Sequence, residues 1–282
     1  MKIGLLTKNP NAYTVQKLIQ AGEGLGHEMV LINTAFCYLS INSERHTIYS
    51  TAHEELNHLD LVIPLISPKN IVYGTAILRQ FEMLGTKVLN HASAIQTVQD
   101  KFKLFQLLAR KKINLAIIAF ADIPQEAEKL IDLVDGPPLI IRLLNSYHHR
   151  SAILTKNYQE AISVINAFQQ IQANILIQKY TKPEDNKIIR CLILDNKILA
   201  SIEISDLKKL NRPIQLKPKL KKLGLAAMQA LKLKLGMIDL CTDPQHGPII
   251  LDVHTNINLR LIEKICENNL APTIIELALA QI

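Results

Sequence analysis

The chain has 282 residues, of which 48% are apolar, and a formal net charge of +7. No uninterrupted apolar run approaches the roughly 20 residues of a membrane-spanning helix, and the N-terminus Met1-Lys2-Ile3-Gly4-Leu5-Leu6-Thr7-Lys8 turns polar too soon for a signal-peptide core. The reading is a cytoplasmic protein without a membrane partner, long enough for two domains or three small ones.

Short apolar strands alternate with amphipathic helices, the pattern of an α/β protein. Strands are expected over 2–6, 29–32, 61–65 and 87–89, with helices over 12–25, closed by Gly26, and over about 74–84. This first α/β unit ends near Ser93. A helix over 100–111 then leads to a strand at 115–120, a helix at 124–134 and strands at 139–143 and 152–155. The loop between those two strands, Asn145-Ser146-Tyr147-His148-His149-Arg150, contains no glycine. A helix over 158–170, a strand at 175–178 and paired strands at 188–194 and 198–204 follow, with Asp195-Asn196 as their turn. A helix over 219–235, strands at 237–240 and 248–253 and a last helix near 272–280 complete a three-lobed order.

Cys37, Cys191, Cys241 and Cys266 are scattered and form no Cys-x-x-Cys pair, which fits reduced thiols better than disulfides or a zinc site. Positive charge concentrates in Lys208, Lys209, Arg212, Lys217, Lys219, Lys221 and Lys222. Such a segment is either a solvated face or a surface for an acidic partner, such as a protein tail, a ribosome or RNA. The few interleaved aromatics argue against single-strand stacking. The sequence leaves a homo-oligomer open.

A resemblance becomes specific at Val72-Tyr73-Gly74-Thr75-Ala76-Ile77-Leu78-Arg79-Gln80-Phe81-Glu82-Met83-Leu84-Gly85 and at Asp100-Lys101 with Gln106-Leu107-Leu108-Ala109-Arg110. With Cys37-Tyr38, Ile41-Asn42, 162–168 and Arg190-Cys191-Leu192, these stretches resemble RimK-type ATP-grasp ligases over essentially the whole chain. The resemblance implies an ATP-grasp fold preceded by a Rossmann-like pre-ATP-grasp domain. The expected division is 1–95, a central lobe at 96–177 carrying the phosphate loop, and a C-terminal lobe at 178–282 carrying a metal site. The implied activity is ATP-dependent carboxylate–amine ligation through an acyl phosphate, typically of glutamate, with ATP and Mg²⁺ or Mn²⁺ as cofactors.

By this resemblance Lys101, Arg142, Lys179 and Tyr180 face the nucleotide, Arg190 is the catalytic candidate, and Asp239, Asp252 and His254 are the metal candidates. Several positions depart from the family. Arg142 replaces a lysine, and a planar fork is not a point charge. Lys179 replaces an acid, and Ile188 replaces an aspartate whose hydrogen bonding an apolar side chain cannot supply. Asp252 and His254 stand for glutamate and asparagine; they would share one strand face, with imidazole suiting softer metals than Mg²⁺. Phosphate loops need glycine where backbone N–H groups approach an anion closely, and 145–150 lacks it. The acceptor segment after Glu203 is shortened, with Arg212 the nearest substitute cation. Read without the resemblance, Asp239 is a strand-end acid and His254 a satisfied surface histidine. The expectation is impaired or lost catalysis with a binding role. The alternatives are an active ligase of altered nucleotide or metal preference, with His148, His149 and Arg150 supplying charge, and a ribosome- or nucleic-acid-binding module.

Overall fold

A computed structural model describes residues 1–51, 54–122, 126–144, 152–184, 187–204 and 212–280. The chain begins with β1 (Lys2–Thr7), α1 (Tyr13–Gly24), β2 (Glu28–Asn33), β3 (Cys37–Ile41), β4 (His46–Ser50), β5 (Leu61–Leu65), α2 (Ile71–Met83), β6 (Lys87–Val88) and α3 (Ala92–Gln99). Four strands form a parallel sheet in the order β2-β1-β5-β6. Every residue of β5 is buried, as expected of a strand covered on both faces. Pro64 is tolerated inside it for a local reason. The Val62 carbonyl accepts from Leu89 N on the β6 side, so the Pro64 nitrogen also faces that side, where β6 pairs only Leu61 and Val62.

Strands β3 and β4 make a separate hairpin against α2, held where Tyr73 OH donates to Cys37 O and Gln80 Nε2 to Ser40 O, at 2.7 and 3.1 Å. Helix α4 (Lys101–Arg110) follows, with the Asp100 carboxylate capping its N-terminus by accepting from Lys103 N. The central sheet contains β7 (Ile118–Ala121), β8 (Leu139–Leu143), β9 (Ala152–Thr155) and β10 (Ile175–Lys179) in the antiparallel order β7-β10-β8-β9. Helices α5 (Ala127–Asp132) and α6 (Tyr158–Gln170) cover one of its faces.

The last sheet, β13-β12-β11-β14-β15, comprises β11 (Ile188–Leu194), β12 (Lys197–Ile204), β13 (Arg212–Pro213), β14 (Leu235–Asp243) and β15 (Gly247–His254). Helices α7 (Pro218–Ala230), α8 (Leu259–Cys266) and α9 (Ala271–Leu279) complete the fold. Among the described residues no helix is long and apolar enough to cross a membrane. The four cysteines are free; burial pushes the Cys37 thiol up to about 11, and those of Cys191 and Cys241 to about 12.

Core packing does not follow chain order. Ile3, Leu5 and Leu18 share one core with Leu192, Leu235, Ile262 and Ile274, so the first sheet and the C-terminal lobe are packed as one body. Buried Asn90 bridges them: its Oδ1 accepts from Lys234 N and Leu235 N, and its Nδ2 donates to Leu235 O. Helix α4 packs Leu104 and Leu108 beside Met228, Ile238 and Val253 of the C-terminal lobe. The central sheet has its own core of Ile131, Leu139, Ile141, Ile165, Ile175 and Ile177. Its other face is not separate: Leu176 joins the core that α4 shares with the C-terminal lobe, with Ile118 and Leu144 packed against it.

Candidate active site

The central sheet turns its second face toward the C-terminal lobe. Register places Ile118 opposite Gln178, Phe120 opposite Leu176, and then Arg142 opposite Leu176 and Ile140 opposite Gln178. Directly opposed residues share a face, so all six point into the cleft. Phe120 stacks on Phe102 of α4 with ring centroids 4.5 Å apart, which fixes the start of α4 beneath the cleft.

Across the cleft, pairing of β14 with β15 sets Asp239 opposite Asp252, and pairing of β11 with β14 sets Arg190 opposite Asp239. His254 lies two residues beyond Asp252 on the same face. Both carboxylates are buried, at 8% and 7% exposure. Asp239 is gripped by Arg190 in fork-to-fork geometry, Nε to Oδ1 and a terminal nitrogen to Oδ2, both 2.7 Å, with His254 Nε2 3.1 Å from Oδ2. Lys101 Nζ donates to Asp252 Oδ1 at 2.6 Å and to Val253 O at 2.9 Å, while Arg142 reaches Asp252 Oδ2 at 3.2 Å.

Electrostatics follow from this geometry. Burial alone would raise the Asp252 carboxyl, but the charges of Lys101, His254 and Arg142 overcome it and hold it well below the carboxylate range. At Asp239 burial is again the largest single influence, outweighed together by Arg190 and His254, so the carboxyl is lowered. The hydrogen bond to Asp239 raises Arg190 in return. Three permanent cations thus face two carboxylates, leaving one positive charge in a cleft of low dielectric.

The sequence candidates divide accordingly. Lys101, Arg142, Arg190, Asp239, Asp252 and His254 converge. Lys179 sits at the end of β10, but its ammonium donates to the carbonyls of Asp135, Gly136 and Pro137. Tyr180, in the segment 178–181 that the resemblance implies is the nucleotide-contacting hinge, donates its backbone N–H to Pro138 O at 3.0 Å. Ile188 opens β11 opposite Ile204. Arg212 pairs with Glu203 at 2.9 Å. The glycine-free loop with His148, His149 and Arg150, and Lys208 and Lys209, lie outside the described residues. Lys217, Lys219, Lys221 and Lys222 are exposed around the start of α7.

Gln178 opens the segment from which the resemblance implies adenine contacts, but its own side chain was not singled out: its Oε1 is buried without a hydrogen-bond partner among the described residues, and Arg142 Nε is in the same state on the same face. A glutamine inside the apolar run Ile175-Leu176-Ile177-Gln178 was the available signal. An orphaned acceptor near the hinge and an orphaned donor beside Lys101 fit a nucleotide, with its base toward Gln178 and its phosphates toward the cations. A divalent metal fits less well. All four carboxylate oxygens of Asp239 and Asp252 are engaged by cations, and among the described residues no group of three or more His, Cys, Asp or Glu is arranged to hold an ion.

Comparison with known proteins agrees with this architecture. Residues 1–95 match the RimK PreATP-grasp domain and residues 98–278 the RimK-like ATP-grasp domain. The chain is 34% identical to a probable alpha-L-glutamate ligase of Legionella pneumophila (strain Corby), over 98% of this chain and 94% of the relative. It is 35% identical to another from Aliivibrio fischeri (strain MJ11), with the same coverage. Among solved structures, the ATP-grasp ligase PsnB complexed with minimal precursor, Mg and ADP superposes with a TM-score of 0.78 at 14% identity, covering 99% of this chain and 97% of that one. D-alanine–D-alanine ligase from Bacillus anthracis complexed with ATP superposes with a TM-score of 0.72 at 19% identity and the same coverage. These two likenesses bear on the fold, whereas the family matches and the curated relatives span nearly the whole sequence: the chain belongs to the RimK-like ATP-grasp family.

Proposed function

We propose that this protein binds an adenine nucleotide in the cleft between its central and C-terminal lobes, and that its inherited activity, ATP-dependent ligation of a carboxylate such as glutamate to an amine, is impaired. Lys101 and Arg142 would meet the phosphates, while the hinge backbone and Gln178 would meet the base. ATP would supply the phosphoryl group that activates the carboxylate.

The observation that carries the reading is the engagement of Asp239 and Asp252 by Arg190, Lys101 and Arg142. Acids committed to internal cations are poor ligands for the metal ions that phosphoryl transfer ordinarily needs. Loss of one well-placed electrostatic contact costs on the order of 3 kcal/mol in a transition state. With Ile188 and the glycine-free loop added, even strongly non-additive losses leave little turnover.

The test has two arms. ATP should raise the melting temperature, and Lys101→Ala should abolish that rise. Protein given ATP, Mg²⁺ or Mn²⁺, and glutamate should release no ADP above blank. Acceptor-dependent ADP formation would sink the impaired reading. It would favour a second one, supported by the same ion pairs, in which incoming phosphates draw Lys101 and Arg142 away and free Asp252.

A further inference from the structure

A second concavity lies away from the acid–cation cluster. It is a groove of about 870 Å³, within the size range of ligand pockets. Its floor is the first half of β12, one wall is 214–216 with the start of α7, and the other is α9 with the turn before it. Leu199, Leu216 and Leu277 are half-buried there and give it an apolar base.

The floor is an open strand edge. Along one side β12 pairs with β11 from Lys197 to Ile204, apart from a bulge at Leu199, but on the other β13 pairs only Ile202 and Glu203. Ile214 N donates one more bond to Ser201 O at 3.0 Å, and 215–216 then veer away toward α7. From Lys197 to Ala200, no strand among the described residues takes the outer edge. Unpaired backbone of this kind is a template for an added strand.

Charge identifies the occupant. Lys197 and Lys221 are exposed on the groove's lining, and Lys217 and Lys222 flank Lys221. Glu276 stands on the α9 wall and repels acids placed beside it. Among the described residues no aromatic side chain lines the groove, which disfavours single-stranded RNA, whose bases need stacking platforms. We propose that the groove docks an extended acidic peptide that adds to β12 as a further strand, with its carboxylates toward Lys197 and Lys221 and its apolar side chains on the leucine base. This gives the lysine-rich segment a defined role that does not depend on nucleotide chemistry.

The probe is a fluorescein-labelled acetylated octapeptide of alternating Glu and Val, followed by anisotropy at low salt. Saturable binding is expected, weakened at least about tenfold by combined Lys197→Glu and Lys221→Glu, because two attractive pairs become repulsive. The Lys-Val counterpart should bind that double variant more tightly than wild type, a gain that misfolding cannot produce. Methylating alternate backbone nitrogens of the acidic peptide should abolish binding while leaving its charge intact. Absence of saturable binding, equal binding of the methylated peptide, or displacement by an RNA of matching charge as effective as by unlabelled peptide would each overturn the proposal.

Discussion

Asp252→Asn isolates one charged contact between the central sheet and the C-terminal lobe. In the wild type one buried carboxylate holds Lys101 at 2.6 Å and Arg142 at 3.2 Å, with side-chain exposures of 25% and 26% for the cations and 10% for the acid. Deleting one partner of a buried pair costs about 3–5 kcal/mol, because the remaining charges are left desolvated. Asparagine keeps the size and can still accept a neutral hydrogen bond, and the cations retain some access to water. The expected loss is therefore about 2–3 kcal/mol. For a cooperative body of this size, such a loss lowers the melting temperature by roughly 5–10 °C. The same substitution leaves Lys101 and Arg142 without their internal counter-charge, so phosphates no longer compete with Asp252. Thermal melting with and without ATP should show a less stable free protein and a larger ATP-induced rise than wild type. A variant that melts like wild type, with an unchanged ATP-induced rise, would refute the ion-pair geometry.

Asn90→Ala should cost about 2–4 kcal/mol, since it removes three hydrogen bonds, two of them buried, between the first sheet and the C-terminal lobe and strands the backbone groups of Lys234 and Leu235; a denaturant titration checks it, and a loss under 1 kcal/mol would contradict it. Lys179→Met should weaken the central lobe by about 1–2 kcal/mol through uncapping the carbonyls of Asp135, Gly136 and Pro137, seen as faster amide exchange in β8 and β10 with little change in β1. Asp239 and Asp252 are both held below the ordinary carboxylate range. Their stabilising contribution is therefore fully present above the unfolded value of about 3.9 and is lost as pH falls through the lower folded values. Urea midpoints compared between pH 6 and pH 3 should fall less for the double variant Asp239→Asn/Asp252→Asn than for wild type.

Most of the architecture was legible because its strands are apolar runs bounded by turn residues. The edges of 61–65, 139–143, 152–155 and 188–194 agree with β5, β8, β9 and β11, and 158–170 agrees with α6. Other elements were hidden for physical reasons. Helix α3, Ala-Ser-Ala-Ile-Gln-Thr-Val-Gln, has weak intrinsic preference and exists because Ala94, Ile95 and Val98 are buried by its neighbours. Helix α8 follows Asn258, whose side chain caps it by accepting from Leu261 N, but with only eight residues it offers a short pattern that local sequence marks weakly. The helix expected over 219–235 ends at Ala230, because Lys232 takes positive φ and Leu233 turns into the core ahead of β14, whose first residue Leu235 is buried too. Conversely, the convergence of Lys101 on Asp252 across 151 residues of chain came from the resemblance, since no local pattern encodes so distant a contact.

The two cleft substitutions also make sense together. On the proposed reading, Arg142 and Asp252 stand where the resemblance implies lysine and glutamate, the first a longer side chain and the second shorter by a methylene. The pair still closes at 3.2 Å across the lobes, so the exchange conserves reach while changing chemistry. A shorter acid at 252 recedes toward β15, where its Oδ1 also accepts from Val253 N at 2.8 Å, and a guanidinium at 142 brings directed donors in place of a rotating ammonium. Both shifts favour a fixed internal ion pair over a carboxylate projecting to ligate metal. Arg190 completes the pattern by taking both oxygens of Asp239. On the proposed reading, charge that catalysis would spend on a transition state is spent on an ion pair between two lobes, and an entering nucleotide would exchange with Asp252 for Lys101 and Arg142.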